Sequence, residues 1–342
     1  MTSTRTRAAS PNAPTHPTRR RLSTAKRIVL GLLVMAVLAV FAAIAFVVWT
    51  NAKIDRIPAE DLQSLQPTAS NGVRNVLIVG SDSRADLPEG FDHFGDFSGA
   101  RTDVVMVAHV TPDGFAQLLS LPRDLKVQIP GEGTNRINAA YVFGGPDLLV
   151  QTIQNNYGID INNYVEIDFA GFANVVDALG GVTMTFKYPA RDTKSGFSVD
   201  AGTHKLNGIE ALGYARSRSY QEYRDGSWVS VNGSDIGRTE RQQELLLLLF
   251  EQASSPSKAF NLPGFVSTFA DQITADVGLT PGVMVDLGRQ LLGLDSSEIQ
   301  TMTLPVKVSN ENGRSYVIPV QPDADDVLDA FRQAEPWTLA AS

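Results

Sequence analysis

Arginines gather in two short segments, Tyr214-Ala215-Arg216-Ser217-Arg218 and Gly237-Arg238-Thr239-Glu240-Arg241-Gln242-Gln243. Gly213 interrupts the helical pattern of Leu206 to Leu212, so the first segment is expected to be extended. There Arg216 and Arg218 would point to one face. The pattern past Asp235 is helical. On a helix Arg238 lies three residues from Arg241 and four from Gln242, so all three can share a face. Guanidinium forks match phosphate oxygens in pairs and stay charged, so such a set suits a polyphosphate ligand. Surface pairing with neighbouring carboxylates is the competing reading.

Asp82 follows an apolar run, Val76 to Val79, that reads as a buried strand. Ligands of open α/β sheets bind at such strand ends. Asp103 opens the next apolar run and is preceded by Arg101. If the two strands are neighbours, the carboxylates can meet across residues 85–100. Two carboxylates with substrate phosphates and water are a common way to hold Mg²⁺. The alternatives are a turn cap for Asp82 and an ion pair with Arg101 for Asp103. Arg123 in Leu121-Pro122-Arg123-Asp124 stands at another strand end, and Arg136 opens a helix. Both are candidates for a phosphate cradle or for structural roles. The four histidines (16, 93, 109 and 204) form no Ser/His/Asp spacing. The chain has no Walker loop and no GxGxxG, and the acids at 86, 89, 92 and 96 do not match an EF-hand.

The elements that must position these residues alternate. Strands are expected at 76–79, 103–110, 115–121, 125–129, 164–167, 182–188, 299–306 and 315–320. Helices are expected at 137–143, 146–157, 169–179, 235–254, 263–271, 281–293 and 323–334. Pro112-Asp113-Gly114 is a hairpin turn, and the stretch after Tyr188 reads as a loop. Leu245 to Leu249 is unbroken, which on a helix means burial or the wall of an apolar cavity. The pattern predicts a mixed three-layer α/β/α sandwich forming one domain over residues 73–335.

Residues 1–27 are rich in Thr, Pro, Ser and Arg and are expected to be disordered. Residues 28–49 are uncharged and mostly apolar, long enough for a transmembrane anchor, and 50–72 reads as a tether. A cleaved signal peptide is the competing reading; the run is long for one. Residues 1–54 hold eight of the 29 bases and none of the 37 acids, so the remainder carries 21 bases against 37 acids, a net −16. The basic flank predicts a single-pass protein, N-terminus in the cytoplasm, domain outside the cell membrane. The acidic domain offers no basic stripe for nucleic acid. The absence of cysteine excludes disulfides and thiolate chemistry.

Seven segments in order, NVLIVGSDSR (75–84), GARTDVVMVAHV (99–110), LLSLPRDLKVQIP (118–130), RINAAYVFGG (136–145), VEIDFAGFANVVDALGGV (165–182), HKLNGIEALGYARSR (204–218) and GRTERQQELL (237–246), resemble the LytR-CpsA-Psr family. The resemblance covers roughly residues 73–255. It implies an α/β sandwich with an apolar lipid cavity. It also implies a phosphotransferase that moves a glycopolymer from a polyprenyl-pyrophosphate carrier onto a peptidoglycan hydroxyl. By the same resemblance Asp82 and Asp103 are the ligands of Mg²⁺, with Mn²⁺ as its substitute. Arg101, Arg123, Arg216, Arg218 and Arg238 form the catalytic pyrophosphate shell. Gln242, Arg241 and Arg136 complete substrate binding, Arg136 standing where the family often has Lys. A lipid pyrophosphate hydrolase and a non-catalytic sensor of lipid-linked polymer are the alternatives, and the polymer itself is not specified by the sequence.

Overall fold

The computed structural model describes residues 45–82, 102–231, 235–254, 262–291, 294, 298–311 and 313–335. The expected tail, the expected anchor up to residue 44, the loop at 85–100 and Arg101 lie outside them. The chain divides into two units between Val47 and Val48; of the first, residues 45–47 are described and are helical. Among the described residues no helix is long and apolar enough to cross a membrane.

The second unit begins with helical residues 48–51 (α1) and strand β1 (Asp55–Ile57). β2 (Arg74–Ser81) and β3 (Thr102–Val110) follow, and β3 turns through Pro112-Asp113-Gly114 into β4 (Ala116–Ser120). Gly114 takes φ 90°, a conformation a side chain would resist, and Thr111 and Phe115 close the turn backbone to backbone at 3.0 Å. The hairpin β5 (Lys126–Ile129) and β6 (Gly133–Arg136) leads into α2 (Ile137–Tyr157). The two helices expected there are one element broken at Gly144 and Gly145. β7 (Asn163–Asp168) passes to α3 (Phe169–Ala178), which Asp168 caps by accepting from the Gly171 amide at 2.7 Å.

Next come β8 (Val182–Phe186), β9 (Ala190–Asp192), β10 (Phe197–Val199) and β11 (Gly202–Leu206), so the expected loop after Tyr188 contains three short strands. After them run α4 (Gly208–Arg216), β12 (Gln221–Arg224), β13 (Ser227–Ser230) and α5 (Asp235–Ser254). The remainder is α6 (Leu262–Asp271), β14 (Ile273–Asp276), α7 (Pro281–Leu291), β15 (Ile299–Thr303), β16 (Val306–Glu311), β17 (Arg314–Pro319) and α8 (Asp323–Gln333).

The main sheet has seven strands in the order β1-β14-β7-β2-β3-β4-β15. It is mixed: β2 lies parallel to β7 and antiparallel to β3, and β4 is antiparallel to β3 and parallel to β15. β1 belongs to the stretch expected as a tether, yet it pairs with β14, and Leu62 nearby is buried in the core.

Period-two alternation then assigns the two faces. Leu77 and Val79 of β2 and Val105 and Val107 of β3 pack with Ile137, Leu149, Val150 and Ile153 of α2 and Val327 and Phe331 of α8. Their strand neighbours Ile78, Gly80, Val104 and Met106 face the other way, toward α3, α4 and α5. Helices thus cover both faces, as the alternating pattern predicts. Burying each large apolar side chain contributes about 1.5–3 kcal/mol, so this core holds the strand ends in place.

Candidate functional site

The second face does not close completely. Ile78, Met106, Ile167, Phe172, Leu212 and Leu246 line a pocket enclosing about 710 Å³ of space unfilled by atoms, part of it open to solvent. Gly80 keeps its floor low: a Cβ there would meet the Val104 side chain at 2.8 Å. Leu245 also lines the pocket, and Leu249 one turn on packs with Val176, Val182 and Tyr214. The leucine run of α5 therefore serves both as cavity wall and as core.

Polar groups converge at one side of this pocket. Asp103, Arg216, Arg238 and Gln242 all line it. Asp103 accepts from Arg123 Nη1, and Arg238 Nη1 stands 4.0 Å from its other oxygen. Arg238 is buried, 2% exposed. Burial alone would raise the Asp103 pKa, but the fields of Arg238, Arg123 and Arg216 and the Arg123 hydrogen bond outweigh it. They hold the carboxyl below the usual carboxylate range. Arg216 lies over the Phe169 ring, guanidinium carbon to centroid 4.4 Å.

The strand pairing brings the two aspartates close in register. Ser81 pairs with Thr102 and Gly80 with Val104, with a bulge between them, so Asp103 sits in the bulge and Asp82 directly follows it. Bulges re-aim side chains beside active sites. The condition set by the sequence, that these strands be neighbours, is met. Two carboxylate oxygens with no nitrogen or sulfur donor suit a hard cation that takes its remaining ligands from phosphate and water. Among the described residues no group of three or more His, Cys, Asp or Glu could hold a metal by itself.

Other expected residues go elsewhere. Tyr214 to Arg216 is not extended but forms the end of α4, so Arg216 leaves a helix terminus and Arg218 lies beyond its cap, exposed. The α4 start explains this. Asn207 and Glu210 form a capping box, and a Cβ on Gly208 would run into the Ala173 carbonyl, so the helix is nucleated and seated against α3. One interior glycine costs about 1 kcal/mol and does not break it.

Arg241 does not share the pocket face with Arg238 and Gln242. It is buried on the other side of α5, donates to the Ser217 carbonyl and lies 5.0 Å from the Tyr220 ring. Gln242 Nε2 donates to the Ala215 carbonyl at 3.2 Å, joining α5 to α4. Arg136 Nε donates to the Ser315 carbonyl at 3.0 Å, and Nη1 stands 3.4 Å from Asp124.

Asp192, which the sequence did not single out, and Gln243, which closes the second arginine segment but to which the sequence assigns no role, set this arrangement. Asp192 is 1% exposed; its Oδ2 accepts from Ser217 Oγ at 2.7 Å, Arg218 N at 2.9 Å and Ser219 N at 2.7 Å. It anchors the turn between Arg216 and Arg218. Gln243 Nε2 donates to Ser120 Oγ at 2.7 Å and to the Met302 carbonyl at 2.9 Å, fixing α5 over β4 and β15. A single acid in a polar loop and one glutamine on a helix carry no local signal of such long-range partners.

The chain is similar to several known proteins. A 38% identical relative over 234 residues is a probable cell wall biosynthesis protein, LcpB, of Corynebacterium glutamicum; the match covers 67% of this chain and 53% of that protein. The chain thus spans about half the length of that relative. A polyisoprenyl-teichoic acid–peptidoglycan teichoic acid transferase, TagU, of Halalkalibacterium halodurans is 32% identical over 208 residues, 60% of this chain and 61% of TagU. The solved LytR-Csp2A-Psr enzyme from Actinomyces oris superposes with a TM-score of 0.66 at 26% identity, covering 81% of this chain and 95% of that one. The LytR_cpsA_psr family profile matches residues 45–333, and the chain belongs to that family.

Proposed function

We propose that the chain transfers a glycopolymer from a polyprenyl-pyrophosphate carrier onto a peptidoglycan hydroxyl. One observation carries the reading: an apolar pocket has a guanidinium cluster along one side. A ligand with a hydrocarbon tail and a polyphosphate head satisfies both halves. The names of the relatives, which concern cell wall biosynthesis and teichoic acid transfer to peptidoglycan, supply the reaction class.

In this reading Leu212, Leu245, Leu246 and Phe172 enclose the start of the lipid chain. Arg216 and Arg238 bind the pyrophosphate, with Arg123 beside them on Asp103 and Arg218 at the outer edge. Arg101 belongs to the same shell by family resemblance. Charge builds on the bridging oxygen as the distal phosphorus transfers, and fixed guanidiniums stabilise it without reorganising. The attacking hydroxyl oxygen bonds to the distal phosphorus, the bond to the bridging oxygen breaks, and polyprenyl phosphate leaves. The hydroxyl proton is released. The enzyme mainly positions these groups. Asp82 and Asp103 would hold Mg²⁺, or Mn²⁺ in its place, which would neutralise phosphate charge when bound. The domain would lie outside the cell membrane behind an N-terminal anchor with its tail inside.

The test is a three-way binding comparison on the full chain in detergent micelles. A short-chain polyprenyl pyrophosphate should bind more tightly than the matching polyprenol and than inorganic pyrophosphate. Equal affinity for the lipid and for inorganic pyrophosphate would remove the apolar pocket from the account.

A further inference from the structure

A second cavity backs onto the same cluster. Arg123 is the shared wall: its guanidinium grips Asp103 on one side, and it lines this cavity on the other. Arg136, Arg314, Asn135, Asn138 and Phe143 are also among its lining residues, and the cavity encloses about 980 Å³ including its open mouth. Three arginines face one acid there, Asp124, in a domain that is otherwise strongly acidic.

The folding of this corner explains the charge. The β5–β6 hairpin delivers Arg136 to the start of α2, and the β16–β17 hairpin delivers Arg314. The two hairpins are tied by the Val317 amide donating to the Asp124 carbonyl at 3.0 Å and by Arg136 on Ser315. Glu311 lies across the ladder from Arg314, yet its carboxylate pairs with Lys126 at 2.5 Å. Arg314 is exposed, and Arg136 commits Nε to Ser315 and a nitrogen to Asp124, which leaves further N–H donors on a five-donor group. Val142 and Phe143 stay 56% and 48% exposed at the end of the first segment of α2, where Gly144 and Gly145 break the helix. An exposed aromatic beside a concave charged wall is a ligand surface more than a packing surface.

We propose that this cavity is an acceptor subsite for an acidic glycan, which rests on the transferase reading above. Guanidiniums take carboxylates in bidentate pairs. Asparagine amides offer both donor and acceptor to hydroxyl and acetamido groups. Phe143 gives an apolar face on which a sugar ring can lie. The shared wall places a glycan bound here beside the phosphorus that the Arg216 and Arg238 cluster would hold. A concave site with paired amides fits a glycan strand better than a flat membrane surface.

The test uses the full chain in detergent micelles and four probes. They are a disaccharide–peptide fragment of peptidoglycan with free carboxylates, the same fragment with its carboxylates amidated, a polymer glycan freed from its lipid, and a short-chain polyprenyl pyrophosphate. Arg314→Ala and Phe143→Ala alter exposed side chains, so both should fold. Each should weaken the acidic fragment by about tenfold or more, the loss of one charge-assisted contact or one stacking face. The amidated fragment should bind the native chain no better than the acidic fragment binds Arg314→Ala, and pyrophosphate affinity should be unchanged. Unaltered fragment binding would overturn the subsite. So would a parallel loss of pyrophosphate affinity or a preference for the freed polymer glycan. Absence of pyrophosphate binding by the native chain would instead count against the transferase reading and leave the fragment result to judge the subsite.

Discussion

Replacing Asp103 by asparagine keeps the side-chain shape and removes one negative charge from the centre of the cluster. Arg123 donates to it, Arg238 stands 4.0 Å away and is 2% exposed, and Arg216 acts on it through space. Breaking a buried pair by removing one partner costs about 3–5 kcal/mol, because the remaining charge stays buried. For a domain of this size each kcal/mol shifts Tm by roughly 2–4 °C, so the variant should melt on the order of 10 °C lower. The pH dependence has a definite sign. The folded pKa of Asp103 is depressed, so its contribution is present above the unfolded value and is lost as pH falls through the folded one. The gap between the native chain and Asp103→Asn should therefore be full at neutral pH and close in strong acid. Inorganic pyrophosphate should restore part of the loss, since at one hundred times its Kd a ligand adds about 2.7 kcal/mol. Thermal melts from acid to neutral pH, with and without pyrophosphate, read all three. A variant as stable as the native chain at neutral pH would refute the idea that Asp103 holds the cluster together.

Asp192→Ala strips partners from the buried Ser217 hydroxyl and from the part-buried Arg218 and Ser219 amides, and leaving a buried donor unsatisfied costs about 1–3 kcal/mol, so melts should drop by several degrees and pyrophosphate binding should weaken with them. Burial acts to raise the Asp192 pKa, but its hydrogen bonds from Ser217, Ser219, Lys194 and Arg218 win and lower it, so this contribution too is lost only as pH falls below the ordinary carboxylate range. Arg216→Ala and Arg238→Ala should each weaken polyprenyl pyrophosphate binding by roughly ten- to hundredfold, with lysine restoring part of it and the double variant falling short of additivity; wild-type binding with lowered melts would make the cluster structural. Protease added to intact spheroplasts should digest the domain from residue 73 onward, and a protected domain would contradict the proposed orientation.

Much of this site is readable in the sequence because it rests on local rules. Apolar runs ending in Asp82 and beginning at Asp103 mark two strand ends, and the pairing of β2 with β3 brings them together. The i,i+4 spacing of Arg238 and Gln242 places both on the pocket face of α5. What the sequence hides depends on tertiary contacts. Gly213 suggests a helix end, yet the capping box at Asn207 and the seat of Gly208 on α3 carry α4 through to Arg216. Arg241, three residues from Arg238, falls outside the pocket face because Ser217 and Tyr220 draw it to the far side. Asp192 acts on residues 25 to 27 positions away, which no periodicity encodes.

The most direct test of the central claim is transfer itself. The full chain in detergent is given a lipid-linked polymer labelled in its glycan, with and without purified peptidoglycan. The account predicts label on the wall, with one polyprenyl phosphate released per polymer, only when peptidoglycan is present. Free phosphorylated glycan formed without an acceptor would make the protein a hydrolase, and intact lipid-linked polymer in both arms would make it a binding protein; either would contradict the account.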